Sequence, residues 1–171
     1  MALKFRYPGQ QVGDATPDVA ITGDPAVDQV TLRAAGYAAG KIMTLINSAT
    51  AGRGPVIVPM DGTVLTNIPY GTLINGCGNY AESIGPSGSR KMPVVRAMPI
   101  FELTNDAIET DCFEASPTTA YAIGLPLYAD GTAQHVGRWT TDLPVANAKV
   151  LGVVNHVPTA SEPWLGVAQL F

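Results

Sequence analysis

The chain contains two histidines, His135 and His156, which are its most obvious candidates for a metal ligand or a general base. Neither lies in an HxH or HExxH pattern, the kind of spacing that brings two imidazoles onto one metal ion. Because each histidine is isolated in the sequence, we expect both to have structural or surface roles. The sequence therefore predicts no metal centre.

Carboxylates are concentrated in one segment, and paired carboxylates can perform acid–base chemistry or bind calcium. In an extended strand, Glu109 and Asp111 would share a face, because side chains alternate with a period of two. The spacing fits no EF-hand loop, however, and no activating partner is apparent. A solvated loop or strand face is the favoured interpretation of the acidic residues Asp106, Glu109, Asp111 and Glu114.

Neither the glycine-containing segment nor the serines of the chain fit a phosphate-binding or nucleophilic motif. The segment from Gly85 to Lys91 lacks the Gly-Lys-Ser/Thr ending of a phosphate loop, and Met92-Pro93 cannot begin the helix that would follow. Ser116 and Ser161 lack the GxSxG context of a nucleophilic serine. No catalytic constellation is present, so the sequence predicts a protein that is not an enzyme and uses no cofactor.

The composition is poor in charge. Charged residues make up 14% of the 171 residues, against about 25% in an ordinary soluble domain. Such a surface is suited to contact with other protein subunits, where charged groups are depleted from interface cores. A secreted or viral β protein with a neutral surface is the alternative. The net charge of −4 argues against nucleic-acid binding through phosphate neutralisation.

Membrane insertion and secretion are not expected. No apolar run approaches the roughly 18 residues of a transmembrane helix. The first residues lack the apolar core of a signal peptide, so we expect synthesis in the cytoplasm. Cys77 and Cys112 have no CxxC spacing, and two free, buried thiols are favoured over a disulfide.

Short apolar runs bounded by Gly, Pro, Asn or Asp predict strands, most clearly between Tyr121 and Phe171. Asp130-Gly131 predicts a tight hairpin turn before a strand at 134–136. Val30-Thr31-Leu32 and the run 41–46 also suggest strands. The glycines of the intervening segment, 34–40, favour a short turn over a helix.

Residues 1–28 differ from the rest because turn residues interrupt the segment throughout. We expect an extended N-terminal arm that orders on a partner's surface, and the alternative is a terminus without a role. Residues 29–171 are expected to form an all-β domain, either a β-sandwich or a small β-barrel. The candidate contacts of the arm are its spaced apolar residues Phe5, Tyr7, Val12 and Ile21.

The order of these motifs resembles that of the decoration, or cement, proteins on the heads of tailed bacteriophages. The resemblance begins with Asp24-Pro25-Ala26-Val27 and the segment 34–40 ahead of Ile42 to Leu45. It continues through the motifs Phe101-Glu102-Leu103, Gly124 to Gly131, Val150 to Val154 and the closing run that ends at Phe171.

This resemblance implies a β-sandwich or β-barrel module, commonly trimeric, that binds the outer surface of the capsid and clamps neighbouring major capsid subunits. It also implies a terminal arm that reaches across subunits, and it transfers no catalytic residue. The expected location is therefore the virion, with the major capsid protein and further copies of the chain as partners.

Two other functions remain open. A head-fibre base or a tail subunit would share the β architecture and the low charge. A carbohydrate-binding β module would need exposed aromatic rings along a groove, for which the only plausible platform is Tyr70, Tyr128, Trp139 and Trp164.

Overall fold

The computed structural model describes residues 3–5, 11–20, 22, 24–49, 55–74, 101–133 and 135–171. These residues form two antiparallel sheets, one of which curls into a half-barrel, and a single short helix, which confirms the predicted all-β class. The elements are β1 (Leu3–Phe5), β2 (Gln11–Ala15), α1 (Pro25–Ala34), β3 (Ile42–Asn47), β4 (Pro55–Pro59), β5 (Pro69–Leu73), β6 (Phe101–Thr104), β7 (Ile108–Thr110), β8 (Pro126–Ala129), β9 (Trp139–Thr140), β10 (Gly152–His156) and β11 (Leu165–Gln169).

The two sheets are built from strands that are distant in the chain. The six-stranded sheet has the order β1-β7-β11-β10-β8-β9, and the five-stranded sheet has the order β2-β6-β5-β3-β4. The C-terminal strand β11 lies inside the first sheet, where it pairs with both β10 and β7. The apolar C-terminal run is therefore held in a sheet, as its composition predicted.

Helix α1 replaces the strand predicted at Val30-Thr31-Leu32, so that prediction is wrong. Asp24 caps the helix, accepting a hydrogen bond from the backbone N–H of Ala26 at 2.9 Å, and Pro25 begins it. Asp followed by Pro is a helix-start signal, because the carboxylate satisfies a free N–H and proline presets the backbone. Nowhere in the described ranges is a helix long and apolar enough to cross a membrane.

The predicted turn after the helix is confirmed, since Gly36 and Gly40 both have positive φ angles, 83° and 85°. The boundary predicted at residue 28, in contrast, falls inside α1. The segment before it supplies an edge strand to each sheet: Phe5 in β1 pairs with Ile108, and β2, which contains Val12, pairs with β6. Tyr7 and Ile21 lie outside the described residues.

Strand β3 connects two hydrophobic cores. Its neighbours Ile42 and Met43 are both fully buried, and they belong to different clusters because adjacent strand residues point to opposite faces. The smaller core lies around Met43 and includes Leu32 of α1. The larger core lies around Trp139 and is formed mainly by the six-stranded sheet.

Candidate functional site

The structure brings together three side chains that the sequence analysis treated separately. Glu114, Asp130 and His135 each offer one donor atom, and these atoms all lie within 4.8 Å of one another. Nδ1 of His135 is 2.7 Å from Oε2 of Glu114 and 3.6 Å from Oδ2 of Asp130. We refer to these residues as the His135 cluster.

Two of its members are held by the loop 130–138, which connects β8 and β9. A tight turn at Asp130-Gly131 followed by a strand at 134–136 was predicted, but the partner strand β9 begins only at Trp139. The longer loop is closed by Asp130 itself, whose N–H donates to the carbonyl of Arg138 at 2.8 Å and whose carbonyl accepts from Gly137 at 3.1 Å. The loop then turns at His135, whose carbonyl accepts from Arg138.

One carboxylate oxygen of Asp130 accepts hydrogen bonds from its own loop, and the other faces His135. Its Oδ1 accepts from both the N–H and the hydroxyl of Thr132, at 2.8 and 2.9 Å. Those bonds fix the side chain, which is only 8% exposed as a residue. Oδ2 is the oxygen that lies towards His135.

Glu114 comes to the His135 cluster from the segment 112–114, outside the loop 130–138. Residues 112–114 run beside β9: Trp139 donates its N–H to the carbonyl of Cys112, and Glu114 donates its N–H to the carbonyl of Trp139. The Tyr121 hydroxyl donates to the Glu114 carbonyl at 2.8 Å. The backbone of Glu114 is therefore anchored on both sides, which fixes where its side chain begins.

The second oxygen of Glu114, Oε2, is buried against His135. Oε1 accepts from the N–H of Ser116 at 3.2 Å. Oε2 has less than 1 Å² of accessible surface and faces Nδ1 of His135 at 2.7 Å. Because water no longer solvates this oxygen, its stabilisation depends on the groups inside the His135 cluster.

The His135 cluster borders an open cleft of about 640 Å³. Among its described lining residues are three carboxylates and one histidine, but no lysine or arginine. The same charges act on Tyr121: burial raises the pKa of its hydroxyl, and the neighbouring Glu114, Asp142 and Asp130 raise it further. The cleft is thus a place of negative potential that favours cations. The lining residues are Thr63, Glu114, Ser116, Asp130, Gly131, Thr132, Ala133, His135, Thr140, Asp142, Leu143 and Pro144.

Behind the cluster lie two buried titratable groups, Lys41 and Cys112. Burial lowers the pKa of Lys41, and the charge of Asp130 is among the neighbouring charges that oppose this shift. Cys112 is a free, buried thiol, as predicted, and burial raises its pKa to about 12. A thiol that keeps its proton is a poor nucleophile and a poor metal ligand. Cys77 lies outside the described residues.

The remaining acidic residues do not join the His135 cluster. Strand β7 ends at Thr110, so Asp111 lies beyond it and is exposed, whereas Glu109 is half-buried within it. His156 pairs with another carboxylate, its Nε2 lying 3.3 Å from Oε2 of Glu162, which is largely exposed. The prediction of no metal centre was based on the spacing of histidines in the sequence. The His135 cluster, in contrast, consists of residues that are separated in the sequence and that the sheet brings together.

Two of the four aromatic residues that a carbohydrate-binding module would need on its surface pack against the cores instead. Trp139 is fully buried, donates its indole N–H to the carbonyl of Gly40 and stacks on Phe171. Tyr70 is partly buried against the smaller core. Trp139 therefore serves the core and presents no face to a sugar.

The comparisons with known proteins identify no relative. No protein-family model matches the chain, and no curated protein and no solved structure is significantly similar to it.

Proposed function

We propose that this chain is a structural virion protein that binds the outer surface of a tailed-phage head as a decoration protein and stabilises contacts between major capsid subunits. One observation carries the proposal: two adjoining loops expose large apolar side chains in a chain with only 14% charged residues. The proposed action is stabilisation rather than catalysis.

The apolar loops are 61–68 and 143–150, which we call the loop surface. Ile68 is 69% exposed and Leu143 is 55% exposed. Side chains of this size are normally covered when they occur close together, and uncovered groups of them mark interaction sites. The other large apolar side chains exposed on these loops are Val64, Leu65 and Val150.

Hydrogen bonds within and between the two loops restrain the loop surface. Lys149 donates from Nζ to the carbonyl of Asn67 at 2.8 Å and so ties one loop to the other. Within the first loop, the Asp61 carboxylate accepts from the N–H and the hydroxyl of Thr63. A partner that binds here orders little additional chain, which favours affinity.

Charge contributes little to this surface. Loop 61–68 contains a single charged residue, Asp61, and loop 143–150 contains only Lys149. Both are engaged within the loops. Binding through the loop surface should therefore depend on apolar and backbone contacts, which salt screens far less than exposed ion pairs.

A second apolar surface supports self-association into a homotrimer. Val27 and Val30 of α1 are 48% and 68% exposed, and residues three apart share one face of a helix. A trimer that places several loop surfaces on the capsid at once would gain avidity from weak individual contacts. The proposed partners are thus the major capsid protein and two further copies of the chain, with no role for nucleic acid or membrane.

The proposal is tested on phage particles that carry the chain. Particles from which the protein has been stripped or genetically deleted should release their DNA at a lower temperature than complete particles. Added protein should restore the heat resistance of stripped particles by mass action, because it binds the closed shell selectively. The difference should change little between low and high salt.

Unchanged heat resistance after removal would contradict a decoration role. A head-fibre base or a tail subunit would then become the better proposal, since either would share the low charge and the apolar loops. Sedimentation of the free protein and of the particle-bound protein tests the trimer separately, and a monomer in both states would refute it.

A further inference from the structure

We propose that the His135 cluster binds one zinc-class divalent cation through Nδ1 of His135, Oε2 of Glu114 and Oδ2 of Asp130. The inference does not depend on the proposed function, because it rests only on the geometry of these three residues. The donor set is one imidazole and two carboxylates, a combination that suits zinc and its neighbours among the transition metals.

The distances are close to those that a metal requires. Zinc bonds of about 2.0–2.1 Å in a tetrahedron place ligand atoms roughly 3.3 Å apart. Nδ1 of His135 lies 2.7 Å from one carboxylate oxygen and 3.6 Å from the other. All three donor atoms lie within 4.8 Å of one another, so metal binding would require side-chain rotations that bring them around a common centre.

The buried oxygen of Glu114 is the second, independent observation. Oε2 is inaccessible to solvent, and the polar group that faces it is Nδ1 of His135 at 2.7 Å. The other carboxylate oxygen, Oε1, accepts a hydrogen bond from the N–H of Ser116. This bond orients the carboxylate so that Oε2 faces His135. A cation at the cluster would compensate this otherwise unfavourable burial.

The protein prepares the other two donors in the same way. The Thr132 bonds hold Oδ1 of Asp130 and leave Oδ2 towards the cluster. The backbone bond from Arg138 to the His135 carbonyl fixes the position of the histidine in the loop. Ligands fixed in advance lose little conformational freedom when the metal binds.

The surroundings favour a metal site that keeps one coordination position for water over a site in which protein ligands fill every position. Three protein ligands leave a fourth position on a tetrahedral ion for water. The cleft beside the cluster supplies access for that water, and its further carboxylate, Asp142, adds negative charge. Lys41, whose pKa the charge of Asp130 affects, and Arg138 are not among the described residues that line the cleft.

Bound metal would join segment 112–116 to loop 130–138. The two regions already meet through β9, and a cation would add a direct connection between their side chains. A ligand that binds only the folded state raises the melting temperature in proportion to the logarithm of its concentration. The site should therefore be visible as a stabilisation of the free protein.

The chain offers a matched control. His156 and Glu162 also place a ring nitrogen beside a carboxylate oxygen, at 3.3 Å, but no third donor is grouped with them among the described residues. If a simple histidine–carboxylate pair were sufficient, both pairs would bind zinc. If three donors are needed, only the His135 cluster will bind it.

The experiment uses the full chain without a polyhistidine tag, treated with a chelator and then titrated with zinc chloride in a calorimeter. We expect one zinc per chain and a rise in melting temperature that EDTA reverses. Calcium or magnesium at the same concentration should have a much smaller effect. His135→Gln and Glu114→Gln should each weaken zinc binding by about tenfold or more, whereas His156→Gln and Glu162→Gln should bind it like the unsubstituted chain.

A second measurement locates the metal without removing a ligand. The chain has two histidines, so His156→Gln leaves His135 as the only imidazole, and its ring nitrogens can be followed by NMR. Zinc should shift the Nδ1 signal strongly. Absence of saturable zinc binding, an unshifted Nδ1 signal, or equal losses in the His135 and His156 variants would overturn the proposal and leave an ordinary ion pair.

Discussion

Trp139 donates its indole N–H to the backbone carbonyl of Gly40 at 3.1 Å, across 99 positions of the chain. Gly40 lies in the turn between α1 and β3, and Trp139 is the largest fully buried side chain of the larger core. The bond therefore fixes the turn that precedes β3 against the six-stranded sheet. Because Trp139 also begins β9, whose backbone pairs with residues 112–114, the same bond supports the backbone behind the His135 cluster.

The close packing at Gly40 gives the first prediction. Its φ of +85° is unfavourable for other residues, and an added Cβ would contact the Thr110 hydroxyl and lie 2.9 Å from Cβ of Cys112. Gly40→Ala should lower the free energy of unfolding by about 2–4 kcal/mol, the sum of the left-handed backbone cost and an overpacking cost. Urea denaturation followed by circular dichroism measures this loss.

Gly124 is the matched control for that substitution. Its φ of +83° is nearly the same, but an added Cβ would meet nothing within 4 Å. Gly124→Ala should therefore cost only the backbone term, about 1–2 kcal/mol. Equal losses for the two variants would show that the contacts around Gly40 are not tight.

The second prediction concerns pH. Burial raises the pKa of Cys112 from 9.0 to about 12, so above pH 9 the unfolded chain releases a proton that the folded chain retains. This contribution to stability is complete below pH 9 and is lost as the pH rises from about 9 towards 12. Cys112 should then reduce the free energy of unfolding by about 1.4 kcal/mol per pH unit in that range.

Comparison with Cys112→Ala isolates this contribution, because Tyr121 and Lys41 also titrate at alkaline pH and are present in both proteins. Urea unfolding at pH 8, 9.5 and 10.5 should show a steeper decline for the unsubstituted chain. Parallel declines would mean that the thiol ionises in the folded protein at an ordinary pH.

The all-β class was predictable because most strands consist of short apolar runs between turn residues, as at Val56-Ile57-Val58 within β4. Helix α1 was missed because its apolar residues were interpreted as a strand, although Asp24-Pro25 carries a helix-start signal. Its exposed face contains Val27 and Val30, which weakens the apolar-polar pattern that usually identifies a surface helix.

The His135 cluster was not predictable from spacing. Glu114 approaches through its pairing with β9, while Asp130 and His135 lie on the loop that leads into the same strand. The register of β8 and β9, in which Ala129 lies opposite Trp139, brings Glu114, Asp130 and His135 together. The Asp130-Gly131 signal correctly marked a turn, but the Asp130 bonds to Thr132 and Gly137 stabilise a longer loop than the dipeptide suggested.

The third prediction tests the loop surface as the capsid contact. Ile68→Asp places a charge at the centre of the apolar loops and should weaken binding to stripped particles by at least about tenfold, because burying an unpaired carboxylate is unfavourable. Ile123→Asp is the control, since Ile123 is 68% exposed against 69% for Ile68 but lies on a different loop. Cosedimentation with particles over a range of protein concentrations measures both affinities.

Both variants should fold normally, because each replaced side chain is mostly exposed. If Ile68→Asp binds as tightly as the unsubstituted chain, the loop surface faces away from the capsid. If Ile123→Asp shows the larger loss, the contact lies on the loop before β8 instead.

The last prediction concerns the N-terminal segment, which was expected to act as an arm and which contributes β1 and β2 at the sheet edges. A chain that begins at residue 21 retains Asp24, the cap of α1, but leaves β7 and β6 as new edges. Exposed edges have unpaired backbone groups and promote association between chains. We expect this truncated chain to fold with a lower free energy of unfolding and to aggregate more readily in light scattering.

Point substitutions separate this structural contribution from the proposed capsid contact. Tyr7→Ala with Ile21→Ala removes two of the expected anchors and leaves the strands β1 and β2 unaltered in sequence. The doubly substituted chain should bind particles more weakly, since each large apolar side chain that is buried at an interface contributes roughly 1.5–3 kcal/mol. Urea denaturation of the same variant measures any contribution of the two side chains to the fold. Full binding by this variant, together with reduced stability of the truncated chain, would assign the segment to the fold alone and reject the arm as a clamp.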